Sequence, residues 1–195
     1  MNRIKLLALT GAAASLGLAG NCAGAEIVFI DGGYAELCSE LAHNTDHTTV
    51  ELTGSRLGIP TVDICTRAIE NEAATPEEMA GVYNNRGVLL FDQGRLEEAL
   101  SDFEEAIRVQ DSLAAAHINC GYTLIALQRW ADSIAAFDKG IALGPPNPAK
   151  AHFNRGIARE ELGQVREAYQ DYLKASELNP EWAEPKLELG RFTVR

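Results

Sequence analysis

The sequence lacks the short motifs that mark the most common catalytic sites. It contains no G-x-S-x-G nucleophile elbow, no H-E-x-x-H zinc-binding helix, no Walker-type phosphate loop and no paired C-x-x-C. Serine hydrolases of the elbow type, zincin proteases, P-loop nucleotidases and paired-cysteine zinc sites each depend on one of these motifs. We therefore predict a protein that is not an enzyme and that carries no cofactor.

Basic residues are scarce. The 195-residue chain has 17 Lys and Arg against 28 Asp and Glu, which gives a formal net charge of −11. Nucleic acids and anionic membrane surfaces are bound by clustered Lys and Arg. The acidic balance therefore argues against both as partners. The length is sufficient for one domain with a substantial core.

Long apolar runs are also rare, and the clearest one is N-terminal. Arg3 and Lys5 precede a run of apolar or small residues from 6 to 20, and Ala23-Gly24-Ala25 fits the small-x-small rule of signal peptidase. We predict a signal peptide at 1–25, whose removal changes the formal charge from −11 to −13 because both basic residues leave with it. The mature protein is then expected in the periplasm or secreted, with no stable membrane insertion.

Two alternatives to this cleavage remain open. An uncleaved anchor needs about 20 apolar residues to span a bilayer, and the run at 6–20 is shorter. Lipidation at Cys22 would make the protein a bacterial lipoprotein, but Ala19-Gly20-Asn21 departs from the residues that usually precede such a cysteine.

The chain does contain an internal repeat. Gly87, Gly121, Gly156 and Gly190 are 34, 35 and 34 residues apart. A second set of residues recurs with them at spacings of four and then three, which lie on one face of a helix. These residues are Ala99, Phe103 and Ala106; Ser133, Phe137 and Gly140; and Ala168, Tyr172 and Ala175. Each unit therefore predicts a helix, a tight turn and a second, antiparallel helix.

This period and pattern resemble the tetratricopeptide repeat. The resemblance implies an all-α, right-handed superhelix with three repeats at 80–113, 114–148 and 149–182. A degenerate helical cap is expected within 26–79, and a C-terminal capping helix within 183–195. Neither helix of a unit can bury its apolar face alone, so the units must stack into a short solenoid. The chain is thus interpreted as an exported bacterial protein of this family.

Further expectations concern particular residues of this solenoid. Phe103, Phe137 and Tyr172 should be buried beside the small residues, and Leu187 and Leu189 should cover the last repeat.

Local signals mark the helix ends. Thr75-Pro76-Glu77-Glu78 predicts a helix that begins near Pro76 with Thr75 as its N-cap. Asp111 is predicted to N-cap the first helix of the second unit. Gly94 and Gly163 mark turns between the helices of the first and third units.

The cysteines predict one disulfide. Cleavage after Ala25 leaves Cys38, Cys65 and Cys120, and an oxidising compartment favours a bond between the first two. A loop of about 27 residues closed in this way stabilises a fold by roughly 3–4 kcal/mol. Cys120, beside Gly121, is expected to be a free, buried, small apolar residue.

The resemblance also implies where a partner binds. In this family, positions 2, 5, 9, 12 and 13 of each unit line a concave groove that binds extended or helical peptides. In this chain these positions are Gly81, Asn84, Val88, Phe91 and Asp92; Ala115, Ile118, Tyr122, Ile125 and Ala126; and Lys150, Phe153, Ile157, Glu160 and Glu161. The groove is apolar in the middle and acidic at one end, so we predict a protein or peptide partner with an apolar anchor and a basic flank. Alternatively, the N-terminal region of the chain covers part of the groove.

Some family members hold the carboxylates of chaperone tails in a clamp. Asn119 and Lys150 match two of its five residues, while Asn84, Val88 and Asn154 replace the other three. With one cation left, most of the charge-assisted hydrogen bonds to such a tail are missing. The predicted function is therefore an adaptor in a periplasmic or envelope assembly that binds other ligands.

Two other functions remain open. His43, Asp46 and His47 could offer two imidazoles and a carboxylate to a metal, or Cys120 could be redox-active, which would make this a metal-binding or redox protein. A polar loop after a helix also explains the histidine cluster. A subunit held permanently in a larger complex would instead bury its groove in an interface.

Overall fold

The structure, a computed structural model, describes residues 33–43, 61–71 and 75–192. In these ranges all regular secondary structure is helical, which confirms the predicted all-α class. The helices are α1 Gly33–His43, α2 Thr61–Asn71, α3 Pro76–Asp92, α4 Leu96–Val109, α5 Ala114–Ala126, α6 Trp130–Ala142, α7 Pro148–Glu161, α8 Val165–Leu178 and α9 Ala183–Leu189. The predicted signal peptide, Cys22, Asp46 and His47 lie outside the described residues.

The helices form a stack of pairs. Helices α3 and α4, α5 and α6, and α7 and α8 are joined by short turns and pack on each other, and each pair packs on the next. The first helices α3, α5 and α7 also contact one another in that order. This arrangement is the predicted solenoid, with the first helices side by side along one surface.

The capping box at the start of α3 is confirmed. Oγ1 of Thr75 accepts a hydrogen bond of 3.2 Å from the backbone N–H of Glu78, and the Glu78 carboxylate accepts one of 2.7 Å from the Thr75 N–H. Pro76 follows in the first turn, where its missing N–H costs no helical hydrogen bond.

Three repeated glycines allow close packing of an aromatic ring. A Cβ added at Gly87 would lie 2.6 Å from a ring carbon of Phe103, and at Gly121 it would lie 2.8 Å from one of Phe137. Gly156 has the same relation to Tyr172, at 2.8 Å. All three rings are fully buried, as predicted. Gly190 keeps the spacing but not this packing: the nearest atom to its added Cβ is a backbone oxygen at 3.4 Å.

In each of the three helix pairs, the turn between the helices contains one residue with a left-handed backbone conformation. Gly94 and Gly163 both have a φ of +73°, as a glycine-containing turn allows. Gln128 occupies the same place in the second pair with a φ of 58°. The second turn therefore carries backbone strain that the other two avoid.

The N-terminal helices are joined to each other and to the stack. A disulfide links Cys38 of α1 to Cys65 of α2, with a Cα–Cα distance of 5.0 Å, which confirms the predicted pairing. Helix α1 packs on α2 and α3, and both half-cystines belong to the same core as Val88 and Phe103. This pair of helices therefore covers the first end of the stack.

Ion pairs that the sequence analysis missed join the helices of two units. Nε and Nη2 of Arg86 each lie 2.7 Å from a carboxylate oxygen of Asp102. Arg155 binds Asp171 in the same two-pronged way, at 3.0 and 2.6 Å. The sequence held a signal for these pairs, because both arginines precede a packing glycine and both partners follow 16 residues later.

The predicted cap at Asp111 is wrong. Helix α5 begins after Leu113, which makes no side-chain capping hydrogen bond. The Asp111 carboxylate lies 2.9 Å from Nζ of Lys139, and its carbonyl oxygen lies 2.9 Å from Nε2 of His117. Because these contacts reach α6 and α5, Asp111 ties the two helices together instead of ending one of them.

None of the helices in the described ranges combines the length and the apolar character that crossing a membrane requires.

Candidate functional site

The predicted groove residues fall into a buried group and an accessible group. The buried group lies in the first two units: Val88 is 0% exposed, Ile118 1% and Ile125 4%. Asn84 and Asn119 are also buried, and Nδ2 of Asn119 donates a hydrogen bond of 2.9 Å to Oδ1 of Asn84. Their placement in a partner-binding groove is therefore corrected: these five side chains lie inside the protein, where a partner cannot touch them without rearrangement.

Small neighbouring residues explain why these apolar side chains are buried. Gly140 of α6 has no Cβ, and an added one would lie 2.6 Å from Cδ1 of Ile118. Ile118 and Ile125 belong to one core with Phe137, and Ala151 and Ala158 of the next first helix complete that core. Because alanine allows helices to approach closely, the large side chains of α5 are covered.

The accessible group lies at the ends of the first helices of the first two units and along the whole first helix of the third unit. Tyr122 is half-buried, with its ring 5.3 Å from that of Phe137 and nearly perpendicular to it. The half-buried residues at the remaining predicted positions are Phe91, Lys150, Phe153, Ile157 and Glu160; Asp92, Ala126 and Glu161 are exposed; and Gly81 and Ala115 are buried. The inner surface of the stack is therefore most accessible on α7, where none of the five predicted positions is buried.

Helix α9 extends this inner surface, which the sequence analysis missed. The Trp182 ring, at the start of α9, lies 4.8 Å from the ring of Phe153, and Nη2 of Arg191 lies 2.7 Å from the Glu160 carboxylate. The repeat period contained the signal, because Leu187 and Arg191 follow Phe153 and Ile157 by 34 residues.

Leu187 does not cover the last repeat, contrary to the prediction. It is 69% exposed, more than any other large hydrophobic residue whose exposure the structure describes. Leu189, two residues later, is half-buried. Side chains two apart on a helix point in different directions, so only one of the two leucines can face the core.

Glu160 is held by two hydrogen bonds inside the chain. The Tyr172 hydroxyl donates to one carboxylate oxygen at 2.9 Å, and the Arg191 guanidinium donates to the other at 2.7 Å. Burial, together with the negative charge of Glu160, raises the pKa of Tyr172, so this hydroxyl keeps its proton and remains a donor. The predicted acidic end of the groove is therefore partly neutralised at Glu160, whereas Glu161 is exposed.

A buried ionic network supports α7 from the other side. Asp171 of α8 accepts hydrogen bonds from Arg155 and from Nη1 of Arg159 at 2.8 Å, and Nδ1 of His152 lies 3.0 Å from it. Arg155 also reaches Asp138 of α6 at 2.6 Å. Because Arg155 joins the second helices of two successive units, it holds α7 and its inner surface in one position.

Of the residues in the metal or redox alternative, the structure describes His43 and Cys120. Across the described ranges, His, Cys, Asp and Glu form no group of three or more that could hold a metal ion. Cys120 is buried and not disulfide-bonded, and burial raises its pKa to about 12. Its thiol is therefore protonated at neutral pH, unlike a reactive cysteine.

Comparison with known protein families decides what the repeat is. A tetratricopeptide-repeat profile matches residues 80–112, and a second profile of the same repeat matches residues 149–182. The chain contains tetratricopeptide repeats. Both profiles describe a structural repeat, and neither describes a catalytic domain.

Solved structures of tetratricopeptide-repeat (TPR) domains share the fold. The first TPR domain of Spaghetti (RPAP3), bound to the HSP90 peptide SRMEEVD, is 26% identical, and the match covers 59% of this chain and 90% of that one with a TM-score of 0.57. The second TPR domain of human RPAP3, in complex with the HSP70 peptide SGPTIEEVD, is 25% identical, covers 62% and 100%, and has a TM-score of 0.57. MamA from Desulfovibrio magneticus RS-1 is 18% identical over 82% of this chain and 83% of its own, with a TM-score of 0.64, and shares the fold alone.

The curated relatives match over a part of their length. Protein O-mannosyl-transferase Tmtc3 of Drosophila melanogaster is 37% identical over 83 residues, which are 43% of this chain and 9% of that protein. Peptidyl-prolyl cis-trans isomerase FKBP42 of Arabidopsis thaliana is 33% identical over 127 residues, which are 55% of this chain and 34% of that protein. The matches thus span 9% and 34% of the length of these two relatives. Both are eukaryotic, so they do not support the predicted bacterial source.

Proposed function

We propose that this protein is a protein-interaction module that binds a peptide segment of a partner along the inner surface of α7 and α9. One observation carries the proposal: the apolar row that is buried at Val88 of α3 and at Ile118 and Ile125 of α5 is only half-buried on α7, and it continues to the exposed Leu187 of α9. The half-buried residues on α7 are Phe153 and Ile157. The peptide complexes of the RPAP3 domains support the same use of the fold.

The partner we propose has an apolar anchor and a basic flank. The acidic chaperone tails bound by the RPAP3 domains do not suit this chain, since Asn119 is buried against Asn84 and Val88 lies in the core. Lys150 is the one cation left of the clamp pattern. The exposed Glu161 places negative charge at the end of α7, and opposite charges on ligand and site speed association and select the partner.

The cellular setting is part of the proposal. We place the protein outside the cytoplasm, after cleavage of residues 1–25, as an adaptor in a periplasmic or envelope assembly. The N-terminal sequence pattern supports export, and the Cys38–Cys65 disulfide suits an oxidising compartment. The metal-binding alternative now rests on His43, Asp46 and His47, since Cys120 is a protonated core residue.

Binding to a peptide array tests the function directly. The array would carry short peptides with one large apolar residue flanked by Lys, by Glu or by Ser. We expect the basic set to bind, and Ile157→Ala to weaken binding by more than about 1 kcal/mol if Ile157 is a central anchor. Leu173→Ala is the matched control, because Leu173 is an exposed leucine on α8, outside the inner surface. Binding that is unchanged by Ile157→Ala in a folded protein, as judged by circular dichroism, would refute the groove.

A further inference from the structure

The two oxygens of the Glu160 carboxylate are bound by very different side chains, one buried and one largely exposed. Tyr172, which holds one oxygen, is buried and packs against Gly156. Arg191, which holds the other oxygen, has a side chain that is 56% exposed. The acceptor is thus rigidly placed, while its cation can leave into solvent.

Arg191 has a second carboxylate to which it can remain bound. Its Nη1 donates to Glu188, three residues earlier, while Nη2 donates to Glu160. Departure from Glu160 therefore leaves no unpaired charge on Arg191. Its backbone stays anchored, because the neighbouring Phe192 ring packs 5.5 Å from Tyr169 and 5.9 Å from Tyr172.

An apolar side chain lies one helical turn before Arg191. The helical turn continues past the end of α9, since the Gly190 N–H donates to the Lys186 carbonyl and the Arg191 N–H to the Glu188 carbonyl. Leu187 therefore lies about one turn before Arg191, and it is exposed. A basic group and an apolar surface therefore lie side by side next to Glu160. These are the two chemistries of the partner proposed above.

We propose that Arg191 is an internal competitor for the partner's basic residue. A Lys or Arg of the partner replaces Arg191 on Glu160, Arg191 keeps its contact with Glu188, and an apolar residue of the partner packs on Leu187. This inference rests on the proposed function, since it assigns the regulation and the ligand chemistry of the same surface. One helical turn is about 5.4 Å, so the partner's two residues are separated by a similar distance, as at positions i and i+2 of an extended chain.

A designed peptide tests this exchange on the full chain. The probe is acetyl-Gly-Leu-Gly-Arg-Gly-amide, with two comparison peptides in which Glu replaces Arg or Gly replaces Leu. Binding would be followed by NMR through the Leu187 methyl groups and the Arg191 Nε–H. We expect the probe to shift both signals and to move the Arg191 signal towards that of a solvated side chain. Both comparison peptides should bind more weakly.

Three variants separate the exchange from general binding. Arg191→Ala removes the competitor and should tighten binding of the probe about two- to fivefold, the factor expected from loss of an exposed ion pair. Glu160→Gln should weaken binding and abolish the gain from Arg191→Ala in the double variant. Arg108→Ala is the matched control, because Arg108 is an exposed arginine paired with Glu105 at the same spacing as Arg191 with Glu188.

Each outcome decides one of the two claims. If Arg191→Ala weakens binding, the competitor role is wrong. It is also wrong if Ile157→Ala weakens binding while Arg191→Ala and Glu160→Gln leave it unchanged. In both cases the groove stands. If the probe and the basic array peptides bind equally well to Ile157→Ala and to the wild type, the proposed function is wrong as well.

Discussion

Arg155 of α7 and Asp171 of α8 form an ion pair of 2.6 Å whose side chains are 13% and 3% exposed. Arg86 and Asp102 repeat this pair in the first unit. The second unit has Cys120 and Ala136 at the corresponding positions, and both belong to or pack against the apolar core. The interface between the two helices of a unit is thus held by an ion pair in the first and third units and by apolar packing in the second.

Removing the buried carboxylate should be costly. Asp171→Asn leaves Arg155 and Arg159 without their shared counter-charge, and breaking a buried ion pair on one side costs about 3–5 kcal/mol. Urea denaturation would measure the loss. Asp132→Asn is the control, since Asp132 pairs with Arg129 in solvent and should cost less than about 1 kcal/mol. Equal losses in the two variants would contradict the role of burial.

The same pair should make stability depend on acid pH. Burial by itself raises the pKa of Asp171, but hydrogen bonds from His152 and Arg155 and the charge of Arg159 outweigh it, so the pKa lies below its ordinary value of 3.8. Because the unfolded state takes up the proton first as pH falls, the stabilisation is complete above about pH 4 and decreases below it.

Urea titrations at pH 7, 5, 4 and 3 would follow this decrease. The difference in unfolding free energy between wild type and Asp171→Asn should be smaller by about 1 kcal/mol at pH 3 than at pH 5. A difference that persists unchanged to pH 3 would show that Asp171 has an ordinary pKa.

The features predictable from the sequence are those set by contacts at a constant spacing. The repeat period places an aromatic ring beside a glycine in each unit, as with Phe137 and Gly121. The capping box at Thr75 needs only four consecutive residues. The Cys38–Cys65 pairing followed from two cysteines flanking one helical hairpin. Each of these depends on residues within one unit.

The accessible part of the groove was not predictable in the same way. Position within the repeat assigned Ile118 and Ile125 to the groove, yet their burial depends on Ala151 and Ala158 of the following unit. The bond between Arg191 and Glu160 likewise requires the placement of α9 against α7. Both depend on how successive units lie against each other, which the size of neighbouring side chains decides.

Gly121 and Gly190 share a repeat phase and should respond oppositely to the same change. Gly121→Ala places a Cβ 2.8 Å from the buried Phe137 ring, and overpacking of about 1–3 kcal/mol exceeds the gain of about 1 kcal/mol from better helix propensity. Gly190→Ala meets only two backbone oxygens, at 3.4 and 3.7 Å, and should be neutral or stabilising. Thermal unfolding compares them, and a neutral Gly121→Ala would disprove the close approach.

The turn of the second unit offers a stabilising change. Gln128 has a φ of 58°, where a residue with a Cβ pays about 1–2 kcal/mol and glycine does not. After the greater entropy that glycine loses on folding, Gln128→Gly should stabilise by about 0.5–1 kcal/mol. The reverse change, Gly163→Gln, serves as the control and should destabilise, because it puts a residue with a Cβ at a φ of +73°. No atom lies within 4 Å of the added Cβ, so backbone strain is the cause that this variant tests. If chemical denaturation shows that Gln128→Gly destabilises the protein and Gly163→Gln stabilises it, the second turn is not strained.

Cys120 should be unreactive in the folded protein. Burial, and secondarily the charge of Glu104, raises its pKa from 9.0 to about 12, so its thiolate fraction at pH 8 is about a thousandfold smaller than that of an ordinary cysteine. Alkylation with iodoacetamide at pH 8, followed by peptide mapping at Cys120, should be at least about 100-fold slower than in guanidinium chloride. Unfolding removes both the burial and the pKa shift, so the denatured protein is the matched reference for intrinsic reactivity. Equal rates in the two conditions would place the thiol at the surface and restore the redox alternative.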